Sequence, residues 1–154
     1  MHAAALSALL LACSAAAAQA VPSKSIVNTS GLGFGRFVAA SGGAVTVTPT
    51  GARTRTGAVL LLPSPADAAT FGIVENGNGN DKKVYVLTLP PNGSVSLVSG
   101  ANQMPVNNFT SNVPNGAPMP SNTQSVTVGA TLQVGPNQAP GTYSGSFQVT
   151  LEYQ

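Results

Sequence analysis

Tyr143-Ser144-Gly145-Ser146-Phe147-Gln148-Val149-Thr150-Leu151-Glu152-Tyr153 is the stretch that decides the fold. Tyr143, Phe147, Val149, Leu151 and Tyr153 fall on one parity, with Gly145 the interruption. Ser144, Ser146, Gln148, Thr150 and Glu152 fall on the other. A period of two marks a strand that buries one face and wets the other. At about 3.3 Å per residue it runs roughly 35 Å, enough to cross a whole β-sandwich. Just upstream, Gln124 to Val134 alternates as cleanly, with Val126, Val128, Ala130, Leu132 and Val134 on one side. Gly135-Pro136-Asn137-Gln138-Ala139-Pro140-Gly141 turns the chain between the two, so the closing strand finds a match for its inward face in Val126 to Val134.

Working back from there, Val84 to Leu89 is apolar on both faces, as befits a central strand or one that meets a partner. Pro90-Pro91-Asn92-Gly93 turns it into Ser94 to Val98. Ser99 to Asn122 is rich in Asn, Pro, Gly and Ser, with Val106 and Phe109 as its anchors. Thr70 to Val74 and Ala44 to Pro49 read as strands, Ala58 to Leu62 as a buried-type run, and Ile26-Val27 as the opening of a strand after a solvated Lys24. Short strands spaced by turn signals, with no helix candidate of ordinary length beyond residue 20, predict an all-β, antiparallel β-sandwich over residues 21–154.

Composition narrows the function. Only 6% of the 154 residues are charged, 43% are hydrophobic and the formal charge is +2, so high charge does not keep this chain unfolded. Six Lys and Arg stand against four acids, and the nearest cationic pairs are Arg53 with Arg55 and Lys82 with Lys83. Nucleic-acid binding needs several clustered cations to displace counterions from phosphates, and is set aside.

Residues 1–20 read as an export signal. Ala3 to Ala18 is an Ala- and Leu-rich run ending in Ala18-Gln19-Ala20, the small-x-small pattern of a cleavage site, which places cleavage after Ala20 and makes Val21 the first mature residue. The run is too short and too alanine-rich for a transmembrane anchor. Leu10-Leu11-Ala12-Cys13 offers the alternative of a lipoprotein acylated at Cys13. Either way the expected location is periplasm, cell surface or extracellular space. Cleavage after Ala20 removes His2 and Cys13, the sole His and Cys.

Three local patterns invite chemistry, and each has a plainer account. Gly31-Leu32-Gly33-Phe34-Gly35 lacks the spacing of a phosphate-cradling loop; its glycines let the backbone bend while Leu32 and Phe34 pack inward. Arg53 and Arg55 share one strand face, where two cations make a weak anion site and a better solvated face. Glu75-Asn76-Gly77-Asn78-Gly79-Asn80-Asp81 has oxygen ligands at alternate positions but neither the order nor the distal Glu of a calcium loop, and Asn-Gly pairs favour a hairpin turn. Asn108-Phe109-Thr110 is an acceptor sequon, relevant only where a glycosylation system exists. No cofactor or metal is assigned.

Gly35-Arg36-Phe37-Val38-Ala39-Ala40-Ser41-Gly42-Gly43 with Val45-Thr46-Val47, and the run from Val134 through Pro140-Gly141-Thr142-Tyr143 to Thr150, resemble a bacterial secreted family known as domain of unknown function 4402. That family is similar in outline to spore-coat-U and fimbrial-subunit domains. The resemblance implies secretion and an immunoglobulin-like, pilin-like sandwich, and no settled activity.

Without His or Cys in residues 21–154, Ser-His-Asp, Cys-His and histidine-zinc chemistry have no residues to run on, and an enzyme is not expected. The first expectation is a structural surface protein, a fimbrial or matrix subunit joined to copies of itself or to other surface subunits by strand addition along Tyr143, Phe147, Val149, Leu151 and Tyr153. The alternative is a self-contained extracellular module for a surface polysaccharide or protein, using Tyr85, Tyr143, Tyr153 and the phenylalanines. Tyr143, opening a strand after Pro-Gly-Thr, is also a candidate tyrosine corner.

Overall fold

The computed structural model describes residues 24–76 and 83–154. His2, Cys13, Ala18, Ala20, Val21 and residues 77–82, which hold most of the turn expected at Glu75 to Asp81, lie outside the described residues. Among those described there is no helix, and eleven strands follow in chain order: β1 Lys24–Ser30, β2 Phe37–Val38, β3 Gly43–Val47, β4 Arg53–Gly57, β5 Leu60–Leu61, β6 Ala69–Glu75, β7 Tyr85–Thr88, β8 Val95–Ser99, β9 Asn102–Ser111, β10 Ser125–Val134 and β11 Thr150–Tyr153. Every ladder between them is antiparallel.

The architecture grows from β10. Ser125 to Val128 pair with β6, Ala130 to Val134 pair with β3, and β9 runs along the opposite edge. Gly129 sits where β10 passes from β6 to β3. A side chain there would lie against Val47 O, 2.6 Å from the carbonyl carbon of Thr48 and 2.9 Å from Pro49 N, so only glycine lets β3 leave the sheet at this point. Seven strands result, in the order β1-β6-β10-β3-β4, with β9 and β8 continuing from β10's other edge. The sheet curls onto itself, and the two-stranded pairs β7–β11 and β2–β5 complete a sandwich-like, all-β fold.

Both core clusters form on β10. Val126 and Val128 pack with Ala69, Phe71, Leu87 and Val149; Ala130, Leu132 and Val134 pack with Val45, Val47, Val59 and Val106. Each fully buried Val, Leu or Phe side chain among them contributes about 1.5–3 kcal/mol relative to exposure. Leu32, Phe109 and Phe147 touch both clusters and form the seam between them.

Five expectations need correction. The closing strand does not run unbroken from Tyr143 to Tyr153: only Thr150–Tyr153 is laddered, and its partner is β7 across the core, not β10, both of whose edges are occupied. Lys24 is not solvated. Its side chain lies beneath the sheet end, 3.1 Å from Glu75, which is its direct cross-strand partner, and it donates to Ser121 O at 2.7 Å. Arg53 and Arg55 do share a face, the one that carries Val47 and Val45 on the neighbouring strand; Arg55 is exposed there, as expected, whereas Arg53 is half-buried. Charge on an edge strand such as β4 discourages edge-to-edge pairing. Arg53 there donates to Leu62 O at 2.8 Å, Phe34 O at 3.2 Å and Ser64 Oγ at 3.2 Å, pinning two loops together. Within Ala58 to Leu62 only Val59 is buried, and Leu60 faces outward. Finally, the polar stretch after Ser99 contains β9, one of the two longest strands. A register shift near Asn108, which takes φ 50°, moves the inward parity from Met104 and Val106 to Phe109, so no single alternation is visible.

Candidate functional site

The site follows from why residues 145–149 join no ladder. The closing segment runs antiparallel to β7 and β8 taken together: Ser144 bridges Val98 and Thr150 pairs with Thr88. Between those anchors it advances six residues (150 − 144) while the opposite chain advances ten (98 − 88). The four-residue surplus is absorbed by the Pro90-Pro91-Asn92-Gly93 turn, in which neither proline has an N–H to offer. That turn is held away by β9: Gly93 N donates to Asn107 Oδ1, and Asn108 N to Asn92 Oδ1, each at 2.8 Å. Among the described residues no backbone hydrogen bond outside the ladders reaches residues 145–148.

Burial along the segment nevertheless keeps the predicted parity. Val149 is buried and Tyr143, Phe147 and Leu151 are half-buried, while Ser144, Ser146, Gln148 and Glu152 are exposed. Tyr153, at the end, is itself exposed, with Lys83 Nζ 4.6 Å from its ring centroid. Phe147 holds the middle, its centroid 5.1 Å from that of Phe109 and 6.2 Å from that of Phe71, the latter edge-on at 75°. Gly145 lies so close to β8 that a side chain would sit 2.6 Å from Ser96 O, which explains the one gap in the alternation.

Beside this segment is a cleft of about 280 Å³. Gly145, Ser146 and Phe147 form one wall. Asn28, Gly31, Leu32 and Phe34 form the other, where the chain leaves β1 and, up to β2, makes only the Gly33–Asp67 bridge. Phe71, Val95, Leu97 and Val106 make the floor. No charged side chain lines it. β1 and β11 are each laddered on a single edge, to β6 and β7; the cleft is lined by Asn28 of β1 and by the segment that precedes β11.

Tyr143 stands at the head of the segment. Its hydroxyl donates to Ala139 O at 2.7 Å and accepts from Gln138 Nε2 at 3.0 Å. Tyr85, in contrast, is buried, and its hydroxyl accepts from Lys24 N at 3.0 Å. Among the described residues no three His, Cys, Asp or Glu side chains gather to hold a metal, and no helix is long and apolar enough to cross a membrane. Leu32 and Phe34 were legible as inward residues; that they face Phe147 across a cleft was not, and its one advance signal was the pair of prolines opposite the closing segment.

A family model described as domain of unknown function (DUF4402) matches residues 25–153. No curated protein and no solved structure matches the chain.

Proposed function

The chain belongs to the family of the domain of unknown function (DUF4402), and from that premise we propose a non-catalytic structural protein of the bacterial surface, a fimbrial or matrix subunit that accepts a strand in the cleft. The observation that carries this reading is the pair of walls. Residues 146–149 alternate in burial, yet residues 145–149 belong to no ladder, and the cleft beside them is lined by Leu, Phe and Val side chains. An added strand supplies main-chain hydrogen bonds along such an edge while its alternate side chains fill the apolar floor. The resemblance in outline to fimbrial subunits, which take up a neighbour's strand, supports the same reading. Export through a signal cleaved after Ala20 delivers the chain to the surface. No catalytic role is assigned, since residues 21–154 contain neither His nor Cys.

Unboiled gels of surface extracts test the proposal. The chain is expected in species above monomer mass that collapse to monomer on boiling. A monomer under both conditions, with the mature chain present at the surface, overturns it.

A further inference from the structure

We infer that Asn115 is a latent site of spontaneous modification, withheld in the folded chain and released, irreversibly, when the segment lying on the second edge of β7 opens. The site is independent of the cleft and of its occupant.

An Asn-Gly pair carries the chemistry in its own atoms. The glycine backbone nitrogen attacks Cγ of the asparagine, and the missing Cβ leaves that approach unhindered. The new N–Cγ bond closes a five-membered succinimide ring while the Cγ–Nδ2 bond breaks, and Nδ2 leaves as ammonia with the proton of the attacking nitrogen. Water then opens the ring at one carbonyl or the other. The products are aspartate and isoaspartate, the second of which routes the main chain through the β carbon. Two such pairs lie wholly within the described residues, Asn92-Gly93 and Asn115-Gly116, and all four residues are exposed to the water the reaction consumes.

The fold restrains both reacting groups at Asn115. On one edge of β7, Val84 O accepts Gln154 N beside β11. On the other edge lies the link from β9 to β10: Asn115 bridges Leu87, Pro118 bridges Val86, and Met119 N donates to Tyr85 O at 2.8 Å. There the nucleophile, Gly116 N, donates to Leu87 O at 2.8 Å, and Asn115 Oδ1 accepts from Leu89 N at 2.9 Å. The two bonds end two positions apart on β7 and hold the nitrogen and the side-chain amide to different partners. Val113 and Met119, both buried in the cluster around Leu87, anchor the link, and between them only the two isolated bridges pair it. A segment so lightly paired opens locally, below the cost of global unfolding, and one opening frees both groups. Aspartate at this position still offers an oxygen to Leu89 N and closes again. Isoaspartate adds a carbon to the main chain, loses the spacing that matches Leu87 and Leu89, and stays open. Asn92-Gly93 is held separately by β9, with Gly93 N on Asn107 Oδ1 and Asn108 N on Asn92 Oδ1, each at 2.8 Å, and serves as the internal reference.

The test ages the purified chain in mildly alkaline buffer, folded and in denaturant, and reads conversion at each pair by peptide mass mapping with the isoaspartate form resolved. Asn115 should convert at least about tenfold more slowly in the folded chain than in denaturant. Met119→Ala removes one buried anchor and should speed folded-state conversion at Asn115 several-fold while leaving Asn92 unchanged. Chain carrying isoaspartate at position 115 should melt below the unconverted chain, whereas Asn115→Asp should melt like the wild type. Equal conversion of Asn115 in folded and denatured chain overturns the inference. Equal acceleration at both pairs in Met119→Ala also overturns it, by assigning release to unfolding of the whole domain, as does an isoaspartate form that melts like the unconverted chain. Should Met119→Ala not fold, the wild type decides. Below the unfolding transition, conversion at Asn115 should follow exchange of the Gly116 amide, and conversion that tracks only the global transition refutes the local release.

Discussion

β10 and the closing segment carry the same period of two, and the structure treats them differently. Val126, Val128, Ala130, Leu132 and Val134 are all buried, and β10 is paired on both edges along most of its length. From Tyr143 to Tyr153 the inward residues are also the apolar ones, but the backbone is laddered only over the last four residues. Periodicity reports which face a residue shows to the core; it carries no information about who sits at the edge. Edge occupancy is decided by the opposite chain. β10 has three neighbours that reach it, whereas the closing segment lies opposite Pro90 and Pro91 at the point where it needs donors.

The largest expected difference between the two is in hydrogen exchange. Ladder amides in the middle of β10 should exchange only on global unfolding, while those of Ser146, Phe147 and Gln148 should exchange close to the unprotected rate, slower in β10 by about a thousandfold or more. Comparable protection in both would mean that the closing segment has a backbone partner, and the contrast would collapse. Saturation with a cleft-binding peptide should sharpen it from the other side, raising protection in residues 145–149 and leaving β10 unchanged.

Face assignments were thus the legible part of this sequence, and edge assignments the illegible part. The inward valines of β10, the strand at Thr70 to Val74 and the turn at Pro90 to Gly93 could all be read from local residues, because alternation and turn chemistry are local properties. β9 was hidden by its own register shift at Asn108 and by Pro105, a residue that argues against a central strand and is tolerated where β9 has left β10 and pairs with β8 alone. Lys24 and Arg53 depart from the expected solvated position for one shared reason. A long cation looks solvated in sequence, and only the fold supplies the carbonyls of Ser121, Leu62 and Phe34 that hold these two. The cleft depends on residues some 110 positions apart, and no local pattern announces it.

Side-chain truncation gives a smaller but cleaner measure of the same contrast. Leu132→Ala removes a side chain 1% exposed amid Val45, Val47 and Val106, and should cost about 2–5 kcal/mol. Leu151→Ala removes the same atoms from a half-buried site opposite Leu87 on β7, and should cost about 1 kcal/mol in denaturant unfolding. Equal costs would show that the end of the closing segment is as firmly packed as the central strand.

Tyr143→Phe is expected to have the smallest effect and bears on how the closing segment stays in place without a ladder. β10 is fixed chiefly by its neighbours' backbones, with Thr127 N also donating to Asn112 Oδ1 at 2.8 Å. The closing segment is fixed at its far end by β11 and at its near end by the Ser144–Val98 bridge, where Val98 N donates to Ser144 O at 2.8 Å and Ser144 N to Val98 O at 3.0 Å. Immediately before that bridge the Tyr143 hydroxyl donates to Ala139 O at 2.7 Å, four residues back, and receives Gln138 Nε2 at 3.0 Å. Those two bonds close the turn between β10 and the segment, and we propose that Tyr143 acts there as a tyrosine corner. Phenylalanine keeps the ring against the core and removes only the hydroxyl, so the loss should be about 0.5–1.5 kcal/mol, seen as a lower melting temperature. The cleft lies past Gly145, on the far side of the Ser144 bridge, so peptide binding should be unchanged. An unaltered melting temperature would refute the corner; weakened peptide binding at full stability would move Tyr143 from anchor to cleft.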